Sequence, residues 1–262
     1  MTDDSQTSKA TGRREPTVVL VAIAFVMLMT GAFLAFSTAP NHTDTSDEQV
    51  LTGVVRRVVI DVDTGSVSIS SSVRSGAMIS RSIRQMFRKP ETSAILENGV
   101  LMIRSRCGVP ALGCNVDHEI EVPATASLDV TTSSGDVTVR NFAASARLSS
   151  TSGSIAVERL AGESLEIETI SGSIKADALA TERLVGRSES GSIDVSFKSI
   201  PTTLDVASTA GALDLAVPSS SYKLALSSSS AKVTVTGLED DQNSSRSITA
   251  RSQSGRVRVT GL

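Results

Sequence analysis

From Glu119 to Leu262 apolar and polar residues alternate in short runs, and the runs themselves recur. A glycine stands at Gly135, Gly153, Gly172, Gly191 and Gly211, Ala231 takes the same place, and Gly255 follows, at spacings of 18, 19, 19, 20, 20 and 24 residues. Two places after each come Val137, Ile155, Ile174, Ile193, Leu213, Val233 and Val257; four places after come Val139, Val157, Ala176, Val195, Leu215, Val235 and Val259. Apolar residues at every second position predict a strand with one buried face. Seven places before the glycine stand Leu128, Ala146, Leu165, Leu184, Leu204, Leu224 and Ile248, and five places before it Val130, Leu148, Ile167, Gly186, Val206, Leu226 and Ala250. Each repeat of about 20 residues therefore supplies two strands.

Between those strands the third residue before the glycine is always a hydroxyl residue: Thr132, Ser150, Thr169, Ser188, Ser208, Ser228 or Ser252. Glycine admits a positive φ in a tight turn, and short hydroxyl side chains bond to backbone groups that a turn leaves unpaired. The pattern predicts structural turns at Gly65, Gly135, Gly153, Gly172, Gly191, Gly211 and Gly255, with stacked hydroxyl and aliphatic ladders. Seven places after the glycine a larger apolar residue closes several copies, as at Phe142, Leu160, Leu179, Leu238 and Leu262.

Earlier copies are weaker. Val58, Ile60, Gly65, Val67 and Ile69 fit the columns; Ala94, Gly99, Leu101 and Ile103 form a degenerate copy in which Asn98-Gly99 predicts a hairpin turn, and Glu119–Val122 reads as one further strand. The region 51–122 is thus a modified start and 123–262 the regular array, as terminal repeats depart from consensus where they cap an open end. The Leu-x-Val-x-Thr/Ser-x-Ser-Gly-x-Val/Ile-x-Val pattern, preceded by Glu121-Val-Pro-Ala-Thr-Ala-Ser-Leu128, resembles the bacterial putative-adhesin domain of β-strand repeats over about residues 51–262. That resemblance implies a β-repeat fold at the cell envelope and brings no catalytic residues. Two strands per repeat suit an all-β, two-sheet β-solenoid in which seven clear rungs would extend roughly 35 Å at about 4.8 Å each. A β-sandwich of stacked hairpins buries the same alternating residues and is the alternative.

Ahead of the repeats, Thr17–Phe36 carries no charge and, at about 1.5 Å per residue, is long enough as a helix to cross a bilayer's hydrocarbon core. Lys9, Arg13 and Arg14 precede it, and Asp44, Asp47 and Glu48 follow, so the positive-inside bias places the amino terminus in the cytoplasm and the repeats outside. The expected organisation is a cytoplasmic tail over 1–16, a transmembrane anchor over 17–38, a solvated stalk over 39–50 and the repeats. A cleaved signal peptide is the competing reading, although cutting after the small pair Ser37 and Ala39 would leave Pro40 at the new terminus.

Composition narrows the function. A net charge of −3 supplies no field to draw in nucleic acid, and aromatics at 3% leave few faces for stacking sugars. The only histidines are His42, ahead of the repeats, and His118, so the repeats offer only His118 with Cys107 and Cys114, one ligand short of a structural zinc site, and His118 is their only imidazole base. No cofactor motif is present. In an exported domain the two cysteines predict a local disulfide.

Seven basic residues, Arg74, Arg81, Arg84, Arg88, Lys89, Arg104 and Arg106, stand against only Glu91 and Glu97 between positions 74 and 106. They read either as a solvated face or as a contact patch for anionic lipid or envelope polymers near the anchor. The expected function is structural, adhesive or protein-binding at the cell envelope, without catalysis. A sensing or regulatory partner of another membrane protein is the alternative, and a polysaccharide-active β-helix enzyme fits less well because no long loop gathers acids and bases.

Overall fold

The computed structural model describes residues 43–85, 88–108 and 113–262. The apolar segment Thr17–Phe36 lies outside them; among the described residues no helix is long and apolar enough to cross a membrane. Among the described residues all regular structure is β, in two sheets of 11 strands each. Sheet 1 runs in spatial order 43–51, 77–85, 115–123, 67–72, 137–142, 155–160, 174–179, 193–197, 213–217, 257–261, 233–236. Sheet 2 runs 91–97, 100–106, 57–64, 127–134, 146–150, 164–169, 183–188, 203–208, 247–252, 221–228, 239–240 when read from the same end.

One strand from each sheet makes a rung, and the predicted columns are the registers. Ile155 pairs with Val137 and with Ile174, Ile174 with Ile193, and Leu204 with both Leu184 and Ile248. Inner faces meet in a single apolar core from Val55 to Val259, while the alternate residues face outward. The arrangement is a two-sheet solenoid of parallel strands, with antiparallel pairing confined to the end that holds residues 43–51 and 91–97. There Asn98 and Gly99, both at positive φ (52° and 81°), turn the predicted hairpin between 91–97 and 100–106.

The glycine column has a different cause from the one the sequence suggests. Gly65 and Gly135 have positive φ, but Gly153, Gly172, Gly191, Gly211 and Gly255 do not. What excludes a side chain there is proximity: a Cβ on Gly172 would lie 1.9 Å from the carbonyl oxygen of Gly153, and one on Gly191 would lie 1.8 Å from that of Gly172. Each turn rests backbone to backbone on the turn below. Ala231, the single exception, belongs to the outermost rung, 221–236.

The hydroxyl ladder locks these turns together. Ser188 Oγ accepts the Gly191 N–H at 2.8 Å and donates to the Gly172 carbonyl at 3.0 Å; Thr169 does the same with Gly172 and Gly153, and Ser208 with Gly211 and Gly191. One buried hydroxyl thus satisfies a donor in its own rung and an acceptor in the rung below, groups that would be costly to leave unpaired. On the opposite edge, Asn141, Arg159 and Ala178 adopt positive φ (64°, 53° and 56°) and turn the next residue, Phe142, Leu160 or Leu179, into the core. In the two following rungs Phe197 and Val217 reach the core six places after the glycine instead of seven.

Rungs do not stack in chain order. Ser252 donates to Gly211 and Ser228 donates to Gly255, so the last repeat, 247–261, lies between 203–217 and 221–236. At the other end 100–106 and 115–123 pair outside 57–64 and 67–72, which in turn pair with 127–134 and 137–142. A further difference concerns the stalk: Thr43–Leu51, expected to lie mostly in it, forms the edge strand of sheet 1 on Ala77–Gln85. Its side chains are mostly exposed, as polarity predicted, but Arg81 holds it through Gln49 Oε1 at 2.5 Å and Asp47 at 3.1 Å.

Candidate interaction surface

The end of the stack where the described chain begins gathers charge. Thr43 pairs with Gln85 and Arg84 with Asn115, so the entry point of the chain, the segment carrying Arg88 and Lys89, and the Cys107–Cys114 loop share one edge of the first rungs. Cys107 and Cys114 form a disulfide. Arg88 lies against Gly108, where a Cβ would be 3.3 Å from its Cδ. Arg84 is exposed and meets Asp44 at 3.4 Å; Arg88 and Lys89 are exposed too.

The other basic residues have different surroundings. Arg81 is 4% exposed and committed to the edge strand. Arg106 bonds to Asp61 and to Asp63 (2.9 Å), and Asp63 also accepts the Cys107 N–H at 3.1 Å. The bond to Asp61, opposed by some burial, and the charges of both aspartates raise its pKa further above the arginine norm. Arg106 therefore fastens the disulfide loop to the neighbouring rung. Arg104 points outward, with Asp61 beside it in register. Arg74 lies at the far edge, a whole strand from Arg84, beside a hollow of about 330 Å³ lined by Val50, Leu51, Met78 and Glu121. Of the seven, the fold brings together Arg84, Arg88 and Lys89 at the entry edge.

His118 lies inside the first rung, 1% exposed, with its Nε2 2.9 Å from Ser105 Oγ on the other sheet. Ser105 is equally enclosed at 2%, so the pair bridges two sheets within the core instead of facing a cleft. Asp117, the neighbouring acid, is engaged elsewhere by Ser66 (N–H at 2.8 Å, O–H at 2.7 Å) and by Asn115 at 2.8 Å. Burial opposes its charge, but these bonds and Arg84 hold its carboxyl below the ordinary range. Burial, assisted by Arg81 and opposed by Asp117 and the Val116 backbone, pushes the His118 imidazole down to about 4. Unfolded chain takes up a proton as pH falls through about 6.5 and folded chain only near 4, so stability present above 6.5 is expected to be lost between those values. Urea titrations of His118→Gln should show a flatter stability profile in that window than the parent; identical profiles would contradict the assignment.

Sequence reading missed a second surface. On the outer face of sheet 2, Glu168 and Ile170, Arg187 and Glu189, Ala207 and Thr209, Arg251 and Gln253, and Ser227 and Ser229 line an open groove of about 660 Å³ across successive rungs. These are the positions four and two before the glycine column, where small residues beside long ones leave a depression. Among the described residues no group of three or more His, Cys, Asp or Glu is placed to hold a metal ion.

The stacked rungs with this glycine and hydroxyl edge define a β-repeat class of protein. Residues 63–260 match the model of the Toastrack DUF4097 family, and the chain belongs to that family. Its fold is similar to that of a putative adhesin from Bacteroides fragilis NCTC 9343, at 13% identity and a TM-score of 0.56, over 85% of this chain and 99% of the other. A putative lipid binding protein from Parabacteroides distasonis ATCC 8503 matches at 14% identity and a TM-score of 0.48, over 83% and 97%. A search of curated proteins finds no match.

Proposed function

We propose that the chain is a membrane-anchored envelope protein with a structural or adhesive role: the Arg84, Arg88 and Lys89 edge rests on anionic head groups, and the rest of the stack is presented outward as a contact surface. The observation that carries this reading is the pairing of Thr43 with Gln85, which puts the basic edge where the chain enters the fold. Thr43 is only seven residues beyond Phe36, a distance of at most about 25 Å even when extended. The non-catalytic part of the reading is supported by the enclosure of Ser105 and His118. Each cation near an anionic surface is worth about 1 kcal/mol, so reversing all three charges should weaken binding on the order of 100-fold or more. Flotation of residues 43–262 with phosphatidylcholine vesicles, with and without phosphatidylglycerol, tests this. Expected is salt-sensitive binding to the anionic vesicles alone, lost in Arg84→Glu/Arg88→Glu/Lys89→Glu; equal binding by parent and variant would overturn the role of this edge.

A further inference from the structure

The two ends of the stack are finished differently. At the entry end the outer strand of sheet 1 carries Asp44, Asp47 and Glu48, and that of sheet 2 is flanked by Glu91 and Glu97, charges that discourage further strand pairing. At the distal end the outer strands are Val233–Thr236 and Ser221–Ser228, and only the first part of the latter is covered. Asp240 Oδ1 accepts the Leu224 N–H at 3.2 Å, and Asp241 donates its N–H to the Tyr222 carbonyl at 3.0 Å. Lys223 and Ser229 donate inward to Arg246 and Ser252, so by alternation the backbone groups of Leu226 and Ser228 face away from the stack. Val257 donates to Lys232, and the same alternation turns Val233 and Val235 outward. The core-column side chains here are left uncovered: Val233 is 36% and Val235 40% exposed, and Leu224, Leu226 and Leu238 are only partly buried.

We infer that this distal edge pairs antiparallel with the same edge of a second copy of the chain. Charge selects the occupant and its orientation. Lys232 sits at the turn between the two outer strands, and Glu239, Asp240 and Asp241 sit at the opposite turn. A twofold that lays like sheet on like sheet brings the lysine turn of one copy over the acidic turn of the other, whereas laying sheet 1 on sheet 2 sets acid on acid. Both placements reverse strand direction, and antiparallel strands already extend these sheets at the entry end. The chain's own stalk cannot fill the edge: Thr43 belongs to the first strand of sheet 1, ten strand spacings or roughly 48 Å from Val233–Thr236, and residues 37–42 reach about 21 Å. Taken with the anchored reading, on which this part rests, tip-to-tip pairing joins copies on facing membranes. So short an interface belongs with weak, reversible pairs, half associated on the order of 10 μM.

The test uses the full chain, one copy per anionic nanodisc, followed by sedimentation velocity over a concentration series. The expected result is pairs of discs that build up with concentration and stop at two. Val235→Lys with Leu226→Lys, on side chains already partly open, should stay single while keeping the parent's circular dichroism. Lys232→Glu should weaken pairing at least tenfold, and adding Glu239→Lys to it should restore pairing. Discs that remain single up to about 100 μM, chains longer than two, or a charge swap without restoration would overturn the inference. If the chain fails to enter discs, the anchored reading falls, while pairing is still read from the chain's mass in solution.

Discussion

Gly172→Ala is expected to lower the stability of the domain by at least about 3 kcal/mol, an unusually large effect for adding one methyl group. The added Cβ would lie 1.9 Å from the Gly153 carbonyl oxygen, and that atom is backbone, held by Thr169 from the adjacent rung. Relief requires the two rungs to separate, which breaks ladder hydrogen bonds on both sheets. Gly172→Asn sharpens the test. Asparagine tolerates positive φ, so it would be accepted if conformation were the reason for glycine, but close approach makes it at least as harmful as alanine. Urea unfolding should show a lower midpoint at unchanged slope for both variants. An asparagine variant that melts with the parent would contradict the close-packing account.

The second large effect is expected from the hydroxyl ladder. Thr169→Val and Ser188→Ala together strip partners from four backbone groups: the N–H of Gly172 and Gly191 and the carbonyls of Gly153 and Gly172. Each substitution should cost about 2 kcal/mol by leaving buried groups unpaired, with little loss of volume at the threonine site. The two share Gly172, so their effects should not add independently. A double variant within about 0.5 kcal/mol of the parent would show that water or a shifted turn replaces the hydroxyls.

The columns that predict these effects are visible in the chain because stacking places equivalent residues in register, as Ile155, Ile174 and Ile193 illustrate. The same equivalence hides the order of the rungs. Any rung presents the same glycine carbonyl and hydroxyl to any other, so nothing in the columns says that 247–261 slips beneath 221–236. The longer connection after Leu238 was the available signal, since it gives the chain enough length to double back. Glycine's reason was equally hidden: a letter that suits positive φ also suits a turn where a Cβ would lie 1.9 Å from a carbonyl oxygen. Arg74 and Arg84 looked like members of one patch because they are near in sequence, but an extended strand carries them to opposite edges. Polarity marked 39–50 as a solvated stalk, yet backbone pairing of Thr43–Leu51 to Ala77–Gln85 needs no apolar residue to make it a strand.

What joins fold to function in this account is direction. One end of the stack carries the incoming chain and the exposed cations Arg84, Arg88 and Lys89, while the other ends in strands whose outer backbone edges are only partly covered. Those features have the proposed meaning only if the repeats lie outside the membrane with the entry edge beside it. A cysteine at the exposed position Glu189, with the native pair in its disulfide, makes that measurable by a membrane-impermeant maleimide on intact cells. The account predicts that Glu189→Cys is labelled before any permeabilisation and that the labelled chain sediments with membranes; labelling only after permeabilisation would contradict it.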